Sequence, residues 1–401
     1  MTVATVRGIA ATTTATPSDL DAAQRTMTEA AAAHATVAFV GGGTELGFGY
    51  APSRVDVLLD TTKLDRIVEY QPADMVVEVE CGVTLAALQA HLAPHGQRLA
   101  LDVPLPERAT LGGLVATNAF GPRRTRFGSM RDLIVGVSFL RADGARVRGG
   151  GKVVKNVAGF DLPKLAVGSL GSLGMIATVT LRLHPLPEAT CALRVAARSA
   201  DDVAALTHAC FARQLEPAAL VALRDPAGSY AVDALFEGFA SGAREQADRF
   251  IEIARDADLT CTDIDASDVS TNDERVRTSG DVRVRIAMPP ADLARAEHDA
   301  IAPIATVLAD AQTIVYPALG IAFVSGHSPQ NPTIVDALLG ARRAVEARGG
   351  NLVVLHCDDP LVAGDVDVYG ALPPAFALMR GLKERFDPAG RLNPGRFLGK
   401  L

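Results

Sequence analysis

The chain has 401 residues, of which 48% are hydrophobic, enough for ordinary buried cores in about two domains. Its 39 Lys and Arg residues against 46 Asp and Glu residues give a net charge of -7, which argues against nucleic-acid binding by the chain as a whole. The five cysteines are scattered, without a CxxC motif or nearby histidines, so neither an iron–sulfur cluster nor a zinc site is predicted.

The first predicted elements are a helix and a strand. Ser18 and Asp19 precede an Ala-rich stretch to about Ala35, which is typical of a capped helix, and the β-forming residues 37–40 follow it. The chain before this helix, MTVATVRGIAATTTATPS, has one Arg and no apolar run of signal-peptide length. A cytoplasmic protein is therefore expected.

A glycine-rich loop follows this strand. The run VAFVGGGTELGFGY, residues 37–50, places five glycines within nine residues. A Rossmann fingerprint fails because Leu46 stands where GxGxxG needs its third glycine. The Walker pattern fails because Phe48 replaces the phosphate-binding Lys, and because the strand-like VDVLLD follows instead of a helix. Two interpretations remain: a nest of backbone N–H groups for a diphosphate, or a glycine-rich tight turn.

The next elements continue the alternation of strands and helices. A second helix is predicted after VVEVECG, with Thr84 as its N-cap and three leucines on one face. The run LIVGVSFLRADGARV predicts a hairpin that turns at Asp143 and Gly144. The uncharged run 165–181 is interrupted by glycine and serine and is short for a membrane span, so no transmembrane helix is predicted.

Two further glycine-rich segments lie in the same half of the chain, at residues 110–132 and 150–176. Between them, residues 121–160 hold nine basic and two acidic side chains. A solvated basic face would explain the charge. However, three glycine-rich segments with charge of one sign between them suit an extended anionic cofactor better.

The same patterns predict the domain organisation. Residues 1–185 form one compositional unit, which the Pro-rich HPLPEAT closes. Residues 186–372 contain strands such as VRVRIAM and NLVVLH among Ala-rich helices, which predicts a second, α+β domain. Residues 373–401 are predicted to be a C-terminal helix and a tail that pack back on the first domain; the helix opens at Pro373 and Pro374 and ends at Asp387 and Pro388. Its apolar face is predicted to be Leu378, Met379, Leu382 and Phe386.

Five segments, in order, carry a family resemblance: VGGGTELG, ATLGGLVATNAFGP, RFGSMRDLIVGV, KNVAGFDLPKLAVGSLGSLG and FDPAGRLNPGR. Together they resemble the FAD-binding subunits of bacterial glycolate oxidases, which are vanillyl-alcohol-oxidase-like flavoproteins. The resemblance spans nearly the whole chain and is strongest at residues 37–185 and 382–398. It implies an α+β fold with a PCMH-type FAD-binding domain of two α/β subdomains, a second α+β substrate or cap domain, and a C-terminal helix that returns to the FAD domain.

The resemblance also implies which residues hold FAD. The first loop would wrap the pyrophosphate, the second segment would line the pyrophosphate and the isoalloxazine, and the third would bound the adenosine side and the ring. The implied cofactor-binding residues are Gly41, Gly42, Gly43, Thr44, Glu45, Leu46, Gly47, Pro104, Thr110, Gly112, Gly113, Thr117, Asn118, Gly121, Gly128, Gly171, Ser172, Gly174, Ile176 and Asn393. Glycine is expected there because a Cβ pointing into the cofactor slot would collide with the cofactor.

The chain departs from some related flavoproteins in ways that affect the site. Relatives that act on lactate or hydroxyglutarate carry an acidic residue at the position of Leu170. They also carry a GHxGDGNxH metal motif, which His327 and His356 do not reproduce. No substrate-binding metal is therefore expected. The first loop has no histidine for covalent flavin attachment, so the FAD is expected to be non-covalent.

Oxidation of a 2-hydroxy acid by a flavin needs a base for the hydroxyl proton and a cation for the carboxylate. Arg126 is the candidate for the anion contact, and a structural salt bridge is the alternative. Tyr316 and His356 are candidates for the base or for a hydrogen-bond donor, and ordinary packing is their alternative.

The resemblance implies an FAD-dependent oxidoreductase subunit for glycolate or a similar 2-hydroxy acid. Because the chain lacks iron–sulfur cysteines, its electrons are expected to pass to another protein. The resemblance implies that this acceptor is a separate iron–sulfur subunit, which works beside a larger FAD subunit. The expected place is the cytoplasmic face of the membrane, with at most peripheral association. Whether this subunit oxidises substrate or relays electrons stays open. The alternatives are a self-sufficient flavin oxidase or dehydrogenase for another alcohol or sugar, and an assembly subunit that FAD only stabilises.

Overall fold

The computed structural model describes residues 5–151 and 161–401, so Lys152 and Lys155 of the third glycine-rich segment lie outside the described residues. The chain divides into two units. The first contains the described residues up to Phe120, Gly128–Leu186 and Ala371–Leu401, and the second contains Gly121–Phe127 and Pro187–Gly370. The short segment Gly121–Phe127 groups with the second unit, whereas the sequence analysis placed it in the FAD-binding domain.

The strands of the first unit form two principal sheets. In chain order they are β1 Thr5–Val6, β2 Ile9–Ala10, β3 Thr13–Ala15, β4 Val37–Val40, β5 Val57–Asp60, β6 Ile67–Gln71, β7 Val76–Glu80, β8 Gln97–Arg98, β9 Ile134–Leu140, β10 Arg146–Gly150, β11 Met175–Arg182 and β12 His184–Pro185. A parallel sheet has the order β3-β5-β4, and an antiparallel sheet has the order β10-β9-β11-β7-β6. Strands β1 and β2 pair with each other, as do β8 and β12.

Helices occur in both units. In chain order they are α1 Leu20–Ala32, α2 Leu85–Leu92, α3 Leu111–Thr117, α4 Arg124–Phe127, α5 Met130–Leu133, α6 Leu162–Ala166, α7 Ala200–Ala212, α8 Ala240–Asp256, α9 Ala266–Thr278, α10 Leu293–Ala296, α11 Ala302–Val307, α12 Thr333–Glu346, α13 Pro360–Asp365 and α14 Phe376–Phe386. A π-helical turn joins α10 to α11. Helices α4 and α7 to α13 belong to the second unit.

Local signals account for the early elements of the first unit. The Asp19 carboxylate accepts a hydrogen bond of 2.7 Å from the Ala22 amide and caps α1, and the Thr84 hydroxyl caps α2 in the same way. Strands β9 and β10 form the predicted hairpin, which turns through Gly144 at a φ of 81°. The predicted helix, strand and hairpin are confirmed.

The core of the first unit lies between α2, α3 and the antiparallel sheet. Leu88 and Leu92 of α2 are fully buried in the same cluster as Val79 of β7 and Leu111 of α3. Burial of one such leucine stabilises the fold by about 1.5–3 kcal/mol. This packing fixes the positions of the chain segments that lead into and out of the glycine-rich loops.

The second unit contains one antiparallel sheet of eight strands. They are β13 Ala189–Ala197, β14 Ala219–Arg224, β15 Tyr230–Gly238, β16 Cys261–Asp263, β17 Val282–Ala287, β18 Ala309–Tyr316, β19 Ile321–His327 and β20 Asn351–Cys357. Their order is β16-β13-β15-β14-β18-β19-β17-β20. Val282, Val284 and Ile286 of β17 are buried on one face while the intervening arginines are not, which is the alternation that the run VRVRIAM predicts.

The C-terminal helix differs from its prediction. It begins at Phe376 rather than at Pro373, and Leu378 of the predicted apolar face is 68% exposed. The buried residues are Phe376 and Lys383, which lie two turns apart on one face. Met379, Leu382 and Phe386 of the predicted face are half-buried, so the prediction is wrong at Leu378 and misses the buried Lys383.

Candidate cofactor-binding site

A cleft in the first unit brings the three glycine-rich segments together. It contains about 790 Å³ of space not filled by protein atoms, including space open to solvent. Its lining is mainly apolar or backbone. The lining residues are Phe39, Val40, Gly41, Gly42, Gly43, Thr44, Glu45, Leu46, Thr61, Cys81, Thr110, Gly112, Gly113, Leu114, Ala116, Thr117, Leu170, Gly171, Gly174, Met175, Ile176, Asn393 and Arg396.

The first loop leaves β4 and presents its backbone to the cleft. Within the described part of the chain, the backbone N–H groups of residues 41–44 donate to no protein acceptor. A Cβ on Gly41 would lie 2.1 Å from Thr110 Oγ1, and a Cβ on Gly42 would lie 1.6 Å from the Arg108 carbonyl oxygen. These glycines are therefore needed for close packing of protein segments. The expectation that their Cβ atoms would collide with the cofactor is wrong at these two positions.

The second segment packs against the strand end at Cys81. The Gly112 amide donates a hydrogen bond of 2.8 Å to the Cys81 carbonyl, and a Cβ on Gly112 would lie 2.7 Å from Cys81 Cβ. Burial raises the pKa of the Cys81 thiol to about 12, so this thiol stays protonated at neutral pH. Cys81 thus contributes an apolar wall to the cleft.

The third segment is tied to the second segment and to the C-terminal tail. The Leu170 amide donates a hydrogen bond of 2.9 Å to the Ala116 carbonyl, and the Leu170 carbonyl accepts one of 2.8 Å from Asn393 Nδ2. Gly171 has a φ of 71°, and a Cβ there would lie 2.5 Å from Asn393 Nδ2. Asn393 lines the cleft, and none of the described residues donates to its buried Oδ1, so this acceptor is available to a ligand.

Six of the predicted cofactor-binding residues do not line the cleft: Gly47, Pro104, Asn118, Gly121, Gly128 and Ser172. Asn118 ends α3 in the left-handed region at a φ of 52°, and Gly128 makes a turn at 79° against Asp132. The Ser172 hydroxyl donates to the Ser169 carbonyl at 2.7 Å. Gly121 belongs to the second unit. Turn geometry and local hydrogen bonds account for the residue types at Asn118, Gly128 and Ser172.

The three candidate catalytic residues all belong to the second unit, and their side chains hydrogen-bond to different partners. Arg126 Nη1 donates a hydrogen bond of 2.8 Å to the Glu237 carbonyl, and its Nη2 lies 3.4 Å from Glu216 Oε2. These contacts favour the structural alternative for Arg126. Its predicted role as an anion contact has no support from this geometry.

Tyr316 and His356 differ in their accessibility. Tyr316 is fully buried, and its hydroxyl donates to the Asp273 carboxylate, which also pairs with Arg277. It is a packed and satisfied group rather than a base open to a substrate. His356 lies on β20 with a side chain that is 23% exposed, and its Nε2 is 3.2 Å from Asp358 Oδ2. Of the two, only His356 keeps an exposed surface.

The cleft also contains residues that the sequence analysis did not identify. Most are apolar side chains at strand ends and on α3. In the sequence they cannot be distinguished from ordinary core residues. They are Phe39, Val40, Thr61, Cys81, Leu114, Ala116, Leu170, Met175 and Arg396. Arg396 lies in the same LNPGR motif as Asn393, and a charged residue in that motif was a signal that could have identified it.

Comparison with known proteins identifies the chemistry of this cleft. Residues 11–150 match the family described as FAD binding domain. This part of the chain is therefore an FAD-binding domain, within an α+β fold. Glycolate oxidase subunit GlcE of Escherichia coli K12 is 41% identical over 129 residues, which cover 32% of this chain and 37% of that subunit. The D-lactate dehydrogenase of Archaeoglobus fulgidus is 38% identical over 145 residues, which cover 36% of this chain and 32% of the enzyme.

Longer matches are more distant. The D-lactate dehydrogenase of Anaerostipes hadrus is 26% identical over 420 residues, which cover 92% of this chain and 84% of that enzyme. The solved structure of alkyldihydroxyacetonephosphate synthase superposes with a TM-score of 0.74 at 16% sequence identity, covering 96% of this chain and 77% of that one. The fold of the chain is thus similar to that of this synthase.

The residues of the cleft fit FAD. The unbonded amides of residues 41–44 offer donors for phosphate oxygens, and Asn393 Oδ1 offers an acceptor for a hydroxyl or an N–H group. The apolar walls at Leu114, Met175 and Ile176 suit a flat aromatic ring. FAD is therefore the cofactor of the FAD-binding domain.

Two kinds of feature are absent from residues 5–151 and 161–401. No group of three or more His, Cys, Asp or Glu residues placed to hold a metal ion occurs among them. None of the helices in the described ranges has the length and apolarity that crossing a membrane requires. The five cysteines are all free, and Cys81, Cys210 and Cys357 are buried.

Proposed function

We propose that the protein is an FAD-dependent oxidoreductase subunit that oxidises glycolate or a similar 2-hydroxy acid. The observation that carries the proposal is the cleft in which the three glycine-rich segments and Asn393 meet. The similarity to a glycolate oxidase subunit and to D-lactate dehydrogenases supports a CH–OH donor as substrate. The predicted domains, 1–185 for FAD and 186–372 for substrate, stay part of this proposal.

Bound FAD supplies a two-electron acceptor for the C–H bond of the substrate. The chain's own residues bind and orient this cofactor: the amides of residues 41–44 take the diphosphate, and Asn393 Oδ1 takes a polar hydrogen. Leu114 and Ile176 exclude water from the cleft. His356, which keeps an exposed surface, is the proposed base for the hydroxyl proton.

The route of the electrons away from the flavin is a second part of the proposal. Cys81, Cys210 and Cys357 are buried, with thiol pKa values that burial raises, so they are poor ligands for an iron–sulfur cluster. We propose a separate iron–sulfur subunit and a larger FAD subunit as partners. The proposed place is the cytoplasm, with peripheral association at the inner face of the membrane.

The first experiment is the absorption spectrum of the purified protein. Flavin bands that remain after gel filtration, and that trichloroacetic acid releases into the supernatant, are the expected result for non-covalent FAD. A colourless protein that stays without FAD after incubation with the cofactor would contradict the proposal. Under anaerobic conditions, glycolate or D-lactate should bleach the bound flavin, and glycerol should not.

The outcome of the bleaching experiment separates the alternatives. Bleaching by a polyol but by no 2-hydroxy acid would assign a self-sufficient alcohol or sugar oxidase. Bleaching only after addition of the larger flavin subunit and substrate would assign electron relay instead of substrate oxidation. Bound FAD that no donor or partner reduces would assign an assembly subunit.

A further inference from the structure

Arg396 lies in the FAD cleft and contacts the first glycine-rich loop. The residue is 4% exposed, and its Nη2 donates hydrogen bonds of 3.1 Å to the Leu46 carbonyl and 2.6 Å to the Phe48 carbonyl. Hydrogen bonds from a guanidinium to an acceptor are among the stronger ones in proteins. A single nitrogen, Nη2, thus orients two carbonyl groups of the loop towards the C-terminal tail.

The tail that carries Arg396 is itself fixed on both sides of this loop. The Val37 amide donates to the Arg391 carbonyl, and the Asn393 amide donates to the Val37 carbonyl, each at 2.8 Å. After the loop, the Tyr50 amide donates to the Arg396 carbonyl at 3.0 Å. The backbone that carries the guanidinium is therefore hydrogen-bonded to the chain both before and after the loop.

The direction of the loop carbonyls matters for an anion. A carbonyl oxygen that faced a diphosphate would repel it, whereas an amide N–H that faced it would bind it. The hydrogen bonds to Arg396 keep the Leu46 and Phe48 carbonyls occupied, while the amides of residues 41–44 stay unbonded within the described part of the chain. Among the described lining residues, Arg396 and Glu45 are the charged ones.

We propose that Arg396 is a positioning residue for the diphosphate of FAD. It holds the loop in the conformation that leaves the amides of residues 41–44 for the phosphate oxygens, and its fixed positive charge lowers the cost of an anion in the cleft. The proposal rests on the FAD assignment above and adds a side chain to a diphosphate site that the sequence analysis assigned to backbone amides.

Arg391 provides a matched control in the same tail. It is 8% exposed, and its guanidinium also donates to two backbone carbonyls, those of Ala35 at 3.3 Å and Ala142 at 2.6 Å. It does not line the cleft. Arg391→Gln and Arg396→Gln therefore remove comparable buried hydrogen bonds from one segment, and only the second removes them from the FAD loop.

The experiment measures the Kd for FAD by fluorescence quenching in the full-length protein after removal of its flavin, together with the melting temperature without FAD. Arg396→Gln should raise the Kd about 10- to 100-fold, while Arg391→Gln should lower the melting temperature and leave the Kd within about twofold. Arg396→Lys should recover part of the affinity, since a single nitrogen contacts both carbonyls.

Equal Kd values for wild type and Arg396→Gln would overturn the proposal, as would an equal loss of affinity in Arg391→Gln. A Kd for Arg396→Lys no better than that for Arg396→Gln would also overturn it. If Arg396→Gln does not fold, faster FAD release from Arg396→Lys than from Arg391→Lys is the expected result, and equal release contradicts the proposal. A wild-type protein that binds no FAD would instead contradict the proposed function.

Discussion

The side-chain amide of Asn393 donates a hydrogen bond of 2.8 Å to the backbone carbonyl of Leu170, 223 residues earlier in the chain. Asn393 is 2% exposed and adopts a φ of 44°, in the left-handed region that asparagine tolerates better than most residues. The two ends of the FAD cleft, the third glycine-rich segment and the C-terminal tail, are therefore joined by one polar side chain.

Asn393→Ala should weaken FAD binding and destabilise the first unit. The change leaves the Leu170 carbonyl without its donor, removes the Oδ1 acceptor from the cleft and places alanine at a positive φ. Together these effects should cost about 2–4 kcal/mol of free energy. The Kd for FAD and the melting temperature would both report the change. Asn118→Ala is the control, because Asn118 also has a positive φ but does not line the cleft. An equal loss of FAD in both variants would indicate that Asn118 also belongs to the FAD-binding site.

Gly42→Ala should prevent FAD retention by disturbing the packing of the loop. Its new Cβ would overlap the Arg108 carbonyl, which belongs to the backbone and cannot move away as a side chain could. Gly242→Ala is the control: it lies within α8, a Cβ there meets nothing within 4 Å, and alanine should stabilise the helix by about 0.5–1 kcal/mol. Flavin content and melting temperature measure both effects. Stoichiometric FAD in Gly42→Ala would count against the loop assignment.

Tyr316→Phe should destabilise the second unit without impairing flavin reduction. The loss of the hydroxyl leaves the buried Asp273 carboxylate short of a donor, at a cost of about 1–3 kcal/mol. Chemical denaturation measures this cost, and anaerobic stopped-flow with the substrate measures the rate of flavin reduction. A rate about 100-fold or more below wild type, with unchanged stability, would instead identify Tyr316 as the base.

Asp56 should contribute to stability above its pKa and lose this contribution in acid. Hydrogen bonds from Thr36, together with Arg54, lower the pKa of the Asp56 carboxyl below its ordinary value of 3.8 in the folded state. The folded state therefore releases this proton more readily than the unfolded state. The stabilisation is complete above the unfolded pKa and is lost as pH falls through the folded pKa.

The melting temperature at a series of pH values between about 6 and 3 tests this linkage. Asp56→Asn should be less stable than wild type at the upper end and should lose less stability on acidification. Asp65→Asn, a change at an exposed carboxylate, serves as the control. If the melting temperature of Asp56→Asn falls with decreasing pH as steeply as that of the wild type, the Thr36 contacts do not favour the ionised form of Asp56.

The sequence predicted the elements whose signals are local. The cap at Asp19, the cap at Thr84 and the turn at Gly144 each depend on residues within a few positions of one another, and each is confirmed. The three glycine-rich segments were also recognisable as parts of one site, because their composition differs from that of ordinary core segments. The lining of the cleft by Gly41 and Gly171 agrees with this expectation.

The remaining features depend on contacts between distant residues. Arg396 and Leu46 are 350 residues apart, and only the fold shows that they are bonded. Lys383 was not among the residues predicted for the buried face of its helix, yet its Nζ is buried and donates to the Ser172 carbonyl, the Asp387 carboxylate and the Leu392 carbonyl at 2.7–2.9 Å. Burial lowers the pKa of Lys383, which the Asp387 contact opposes. The hydrophobic periodicity of the sequence does not indicate that a lysine with these partners is buried.

The order of the segments along the chain has a consequence for biosynthesis. The first unit contains chain that precedes the second unit and chain that follows it, Ala371–Leu401. Asn393 and Arg396 are therefore among the last parts of the FAD cleft to leave the ribosome, after all residues of the second unit. All residues of the second unit are therefore synthesised before the first unit is complete. Although its synthesis begins first, the first unit can hold its flavin only after the second unit has been made.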